Sequence, residues 1–203
     1  MAVKNYTTFS DVQAPPLVRC AWPGADPLMI VYHDTEWGVP CHDDQKLFEY
    51  IVLDTFQAGL SWQIILRKRE NFRRMFDNFN AVKITRYTDA KLVKLMADTG
   101  IIRNRLKIKG TIKNAQAFLK IQKEFGSFSK YLWSFVGNRP IIHKHRHTSQ
   151  IASSNRESDG LSRDLKQRGF TFVGTTICYA FMQGAGLVND HLTSCFRHSA
   201  ISS

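Results

Sequence analysis

Four residues that bind soft and borderline metals frame this chain, with Cys20 and His33 near one end and His191 and Cys195 near the other. His191 and Cys195 stand four apart, so on a helix they would project from one face. Two thiolates and two imidazoles suit a tetrahedral zinc ion, and four protein ligands describe a closed structural site that keeps no position open for catalysis. Such an ion would clasp the two ends of the chain. Spacing alone leaves core packing open for each of them, because a free cysteine also behaves as a small buried hydrophobe.

A second group suits a planar ligand. Trp22, Tyr32 and Trp37 cluster near the first half of the metal set, and Trp62 opens a later segment. Aromatic walls can stack a nucleobase taken out of its duplex, while any one Trp is equally at home in a core. The carboxylates Asp34, Glu36, Asp54 and Glu70 fall among these aromatics. Asp54 differs from the rest because Leu53, Phe56 and Leu60 predict an apolar, buried setting. A buried carboxylate without a partner is costly, so a donor or a ligand should meet it. His143, His145 and His147 also alternate, but no cysteine or carboxylate lies near them in sequence. They read as a basic loop or strand facing solvent or phosphate.

Helices must position these residues. Asp43 and Asp44 precede Leu47, Ile51 and Phe56, a helix with an acidic start that Gly59 interrupts. Apolar residues at helical spacing then run from Trp62 to Phe79 opposite an Arg-rich face. Thr88 caps a helix expected to end at Gly100, and the next starts at Arg103 and runs to Gly126. Shorter helices are expected over 128–136, 158–168 and 175–185, which makes the chain almost wholly helical. The Gly100–Arg103 turn has the shape of a helix-hairpin-helix element, whose backbone amides would face a DNA phosphate with Arg103, Arg105 and Lys107 adding charge. A second hairpin glycine is absent, so a plain αα-hairpin stays open.

Length and composition set the frame. The 203 residues are 43% hydrophobic, enough for one good core. We expect a loose leader over 1–18, one folded domain over 19–198, with room for two helical lobes, and a tail over 199–203. Lys and Arg number 28 against 17 Asp and Glu, a formal charge of +11. The basic residues interleave with apolar ones, which fits a folded face for nucleic acid, although solvated helix faces also carry many of them. Four cysteines with no secretory signal point to a reducing cytoplasm and not to a disulfide framework. Residues 169–189 carry no charge, but their Thr and Gly content favours a buried core helix over a membrane span.

Several blocks in order carry a resemblance: Asp26-Pro27-Leu28, Tyr32-His33-Asp34 with Glu36-Trp37-Gly38-Val39-Pro40, Gln57-Ala58-Gly59-Leu60-Ser61-Trp62, Phe172 to Tyr179, and Val188-Asn189-Asp190-His191. From about Arg19 to Cys195 the chain resembles the 3-methyladenine DNA glycosylase I family of bacteria. The resemblance implies an all-α helix-hairpin-helix glycosylase whose terminal segments are joined by one structural Zn2+ on Cys20, His33, His191 and Cys195. It implies a monomer that excises 3-methyladenine from alkylated double-stranded DNA without lyase chemistry. Trp62 would stack on the base, Tyr32 and Trp37 would line the pocket, Trp22 would close it, and Gly59 and Leu60 would enter the duplex. The family's pocket Glu falls on Asp54 and a family Tyr on Met29. Asp54 and Tyr32 are therefore the expected catalytic residues, with Met29 an altered base contact. Other readings are a relative that binds damaged DNA with altered or lost excision, a noncatalytic zinc module, and a zinc hydrolase, which would need an open metal position.

Overall fold

Most helices start where their own side chains cap them. In the computed structural model, residues 17–202 are described, so the expected leader lies outside them except for Leu17 and Val18. Val18 is already fixed, since its carbonyl accepts from the Phe196 amide at 2.9 Å. Helix α1 (Pro27–Thr35), which the periodicity did not reveal, starts because the Asp26 carboxylate accepts from the Leu28 and Met29 amides and Pro27 fits the first turn. Helix α2 (Asp44–Gln57) is capped by Asp43, and all ten residues from Leu47 to Phe56 are buried. A helix apolar on nearly every side belongs in the middle of a core. Around α2 pack α3 (Trp62–Met75), α6 (Arg105–Phe125), α7 (Phe128–Ser134) and α9 (Thr175–Gly184).

The remaining helices complete an all-α frame: α4 (Ala81–Ile84), α5 (Asp89–Ala97), α8 (Arg156–Gln167) and α10 (Phe196–Ser202). The last of these begins within the expected domain and runs through most of the segment expected as a tail over 199–203. The later helices shift by one or two residues from the sequence reading, and three boundaries between α3 and α6 differ from it for visible reasons. Helix α3 stops at Met75 instead of Phe79, because Asp77, Asn78 and Phe79 form a left-handed turn with φ from 52° to 55°. The Asp77 carboxylate in that turn accepts from the Tyr87 hydroxyl and the Lys91 ammonium. Helix α5 ends at Ala97, and α6 begins at Arg105 because Asn104 caps the Leu106 and Lys107 amides.

The uncharged 169–189 stretch becomes α9 and a two-residue strand, and no helix among the described residues is long and apolar enough to cross a membrane. That strand, β2 (Val188–Asn189), pairs in parallel with β1 (Ile141–Ile142), matching Ile141 to Val188 and Ile142 to Asn189. This small parallel pair fixes the histidine-bearing segment beside the chain's C-terminal part.

Candidate base pocket and metal clasp

The chain's two ends meet at the four predicted metal residues. Cys20, His33, His191 and Cys195 are all buried, and their donor atoms lie within 4.8 Å of one another. The Cys195 Sγ stands 3.5 Å from both His33 Nε2 and His191 Nδ1, and the Cys20 Sγ is 3.7 Å from His191 Nδ1. Zinc–sulfur and zinc–nitrogen bonds of about 2.3 and 2.05 Å at the tetrahedral angle put sulfur and nitrogen about 3.6 Å apart. The donor set therefore fits one tetrahedral ion. His191 and Cys195 are not on a helix, as their spacing suggested; they lie in the turn between β2 and α10, which curls back far enough to bring both donors to one point.

The other imidazole nitrogens orient the rings. His191 Nε2 must donate to the Trp37 carbonyl, 3.0 Å away, which leaves Nδ1 as the free lone pair. His33 Nδ1 lies 2.7 Å from the Asp34 carboxylate, which Arg19 also grips, and so turns Nε2 toward the cysteines. Burial lowers the His191 pKa to about 4, so its ring is neutral. Burial pushes the Cys20 thiol up to about 12, with Cys195 nearby adding to the rise. Only a cation bound between them would hold such thiols as thiolates.

The clasp borders the aromatic cleft. Trp37 packs edge-on against His191 at 4.6 Å between ring centres and against Trp22 at 5.1 Å, while Tyr32 lies 5.3 Å from Trp62. Trp22, Tyr32, Trp37 and Trp62 line a cavity of 340 Å³ with Asp54, Gln57, Thr148, Ile151, Ala180 and Gln183. That volume is at the small end of ligand pockets. Gln57 belongs to the Gln57–Trp62 block without a role assigned to it there, and Gln183, Thr148 and Ile151 carry no motif, so nothing in the sequence marks those three before the fold brings α2, α9 and the 148–151 turn together. Met29 is not among the lining residues. It sits in the small core behind the cleft, packed with Leu66 and Cys195 near Trp22 and Trp62, so it supports the wall instead of facing a ligand.

The four carboxylates separate cleanly. Asp34 is bound by Arg19 and His33. Glu36 accepts two bonds from the buried Arg69 and one from Tyr50; burial would raise its pKa, but Arg69 and Lys46 hold it down at about 2. Glu70 is exposed beside Arg73. Asp54, 5% exposed, makes no hydrogen bond or ion pair with any described residue, and burial alone raises its pKa well above the ordinary carboxylate value. It is the buried carboxyl facing the cleft.

The expected DNA contacts divide. Gly59 adopts φ +84° with open space around it, and the following Leu60 is 39% exposed at the tip of a tight turn between α2 and α3. Arg103 is exposed on the α5–α6 connection. Gly100 departs from the expectation: its amide donates to the Asp98 carboxylate at 2.7 Å, so it does not point at a phosphate. It is not a left-handed helix stop either; a Cβ there would meet the Asn71 carboxamide on α3, and making room for it would disturb the bond that Asn71 donates to Asp98. Lys107 also corrects the sequence reading. It is buried, and its ammonium donates to the Phe56 and Ala58 carbonyls at 3.0 and 2.9 Å, capping the end of α2 below the Gly59–Leu60 turn. Lys107→Met should strand both carbonyls and cost about 2–3 kcal/mol. Urea unfolding measures that loss, and an unchanged midpoint would show the cap to be dispensable.

The fold and cleft define an all-α protein with a small cavity walled by three tryptophans and a tyrosine and faced by one buried carboxyl. The methyladenine glycosylase family model matches residues 22–198, and the chain belongs to that family. DNA-3-methyladenine glycosylase 1 of Escherichia coli (strain K12) is 50% identical over 177 residues, covering 87% of this chain and 95% of that protein. A crystal structure of 3-methyladenine DNA glycosylase I superposes with a TM-score of 0.87 at 50% identity, covering 89% of this chain and all of the other. A variant of a 3-methyladenine DNA glycosylase I solved in complex with 3-methyladenine gives 0.86 at 36% identity, covering 89% and 97%.

Proposed function

We propose that this chain hydrolyses the N-glycosidic bond of 3-methyladenine in alkylated double-stranded DNA. The observation that carries the reading is Asp54, a buried carboxyl without a partner in a cleft walled by four aromatic rings. A neutral ligand gives such a group little, whereas a base methylated at N3 is cationic in DNA. Placed beside Asp54 it would draw the carboxyl to its ionised form, and each charge would supply the other's missing partner. The family membership and the relative bound to 3-methyladenine support the same ligand.

In the reaction, water oxygen bonds to the sugar C1′ as the C1′–N9 bond breaks. The electron pair goes to the base, which leaves neutral, and the water's proton passes to solvent. No strand is cut, so the product is an abasic site. Because the cationic base is already a good leaving group, the protein's work is extrusion, selection and holding. Trp62 stacks on the ring, Trp37 lines the pocket, Trp22 closes the cleft, and Tyr32 and Asp54 meet the edge of the base. Leu60, carried by the Gly59 turn, fills the gap in the duplex, and Arg103 meets a phosphate as the α5–α6 hairpin lies along the backbone. One Zn2+ on Cys20, His33, His191 and Cys195 holds the ends together. The protein works as a monomeric single domain over 19–198, in the cytoplasm.

Release of free 3-methyladenine from methylated duplex DNA by the purified protein tests this reading. Absence of release by folded, zinc-loaded protein would leave a relative that binds damaged DNA without excision. Trp62→Ala should weaken binding to methylated duplex by about 1–3 kcal/mol, the worth of one base–aromatic stack. Binding to undamaged duplex should change little, and equal losses on the two DNAs would refute the stacking role.

A further inference from the structure

His143 and His145 form a second constellation outside the cleft and the clasp. The β1–β2 pairing places the residue after β1 beside the residue after β2, so His143 meets Asp190. Residues two apart in an extended chain share a side, and His145 therefore points the same way. The His143 Nδ1 lies 2.6 Å from Asp190 Oδ1, and the His145 Nε2 lies 3.3 Å from that same oxygen. Asp190 is fully buried, and its other oxygen accepts from the Tyr179 hydroxyl at 2.7 Å and the Gln183 amide at 2.6 Å. The carboxylate is thus held with one oxygen directed at the two imidazoles. The His145 Nε2 atom is buried and has no hydrogen-bond partner.

We propose that His143, His145 and Asp190 form a second metal site, one that takes a borderline divalent transition metal such as Zn2+ or Ni2+ and exchanges it with solvent. The three donor atoms lie within 4.8 Å of one another. Metal–ligand bonds of about 2.0–2.1 Å at the tetrahedral angle place donors about 3.3 Å apart, the separation of His145 and Asp190. The closer His143 contact is a hydrogen bond, and its ring must back off slightly as the ion replaces the proton. Two imidazoles and one carboxylate favour a borderline metal over Mg2+ or Ca2+, which prefer oxygen ligands throughout. Tyr179 and Gln183 are the outer partners that ligating carboxylates usually have. The two histidine side chains are 31% and 19% exposed, so the rim of the site borders solvent and gives an ion a way in.

The site is tied to the cleft by two routes. Gln183 both bonds Asp190 and lines the cavity, and the chain beyond His145 supplies Thr148 and Ile151 to the cavity wall. An ion here would brace that wall. The proposal does not depend on the base-excision reading, since metal uptake can be read without DNA.

The test is calorimetric titration of Ni2+ into the purified full-length protein whose clasp is already loaded with zinc. One further equivalent is expected, with micromolar affinity, and it should weaken by at least the roughly 10–100-fold that loss of an outer partner costs, or vanish, in His143→Ala and in His145→Ala. His147→Ala, which alters the third alternating histidine outside the cluster, should bind as the wild type does. The histidine variants alter partly exposed side chains and spare the buried Asp190. Equal uptake by wild type and His145→Ala would overturn the site, as would no further equivalent in the wild type. In a parallel titration with Co2+, an absorption band from sulfur-to-metal charge transfer on the added equivalent would show the ion entering at the cysteines, and would also overturn it.

Discussion

Cys195→Ser should release the clasp's zinc and lower the melting temperature by roughly 8–16 °C, the change for about 4 kcal/mol in a domain of this size. Structural zinc in small folds contributes more than that, because the ligands find no such arrangement in the unfolded chain. The loss here is moderated by the core around α2, which does not involve the metal. Removing one thiolate leaves Cys20, His33 and His191 as a buried, incomplete set, with the Cys20 thiol driven toward its neutral form by burial. Cys41→Ser serves as control, since Cys41 is only half-buried and takes no part in the cluster. Elemental analysis and thermal unfolding of both variants provide the measurement. Zinc content unchanged in Cys195→Ser would refute the clasp. The effect should extend to ligand binding at temperatures where the variant is still folded, because His191 holds the Trp37 carbonyl and packs on its ring.

The difference between what the residues announced and what only folding revealed follows from the range of each signal. Long helices with a single apolar face were legible: α6 ends at Gly126, whose φ of 83° is the left-handed stop that glycine supplies. Helix α1 was not, because its nine residues carry a cap and a proline but no clean apolar stripe. The metal group follows from residue type and the resemblance, but its geometry comes from a turn that converges His191 and Cys195 and not from the helix that a spacing of four predicts. Lys107 shows the limit of reading charge as surface. A lysine in a basic run looks like a phosphate contact until tertiary packing supplies two backbone carbonyls for its ammonium. The histidine pair shows the converse. Asp190 was the missing carboxylate, more than forty positions away in sequence, and only the parallel pairing of β1 and β2 brings it to hand.

Asp54→Asn should lower 3-methyladenine release by about 10²–10³-fold, the cost of losing one preorganised electrostatic group in a water-poor site, while making the protein more stable. The two effects have one cause. Burial raises the Asp54 pKa well above its value in the unfolded chain, which is near 3.9. Below about pH 4 the carboxyl is protonated in both states and adds nothing to the pH dependence. As pH rises past that point the unfolded chain sheds the proton and the folded one retains it, so folding becomes less favourable by up to 1.4 kcal/mol for each pH unit until the folded pKa is passed. Asparagine has the same shape and no proton to lose. The gap in melting temperature between the variant and the wild type should thus be small near pH 4 and widen as the pH rises above it. Base excision should run the other way: the wild type gains activity as Asp54 ionises, because the carboxylate meets a cationic base, and the variant shows no such rise. If the asparagine variant is stabilised but releases base at the wild-type rate, Asp54 is a buried acid without a part in recognition. If activity falls with no pH-dependent gain in stability, the carboxyl has a partner in solution that the cleft supplies before the base arrives.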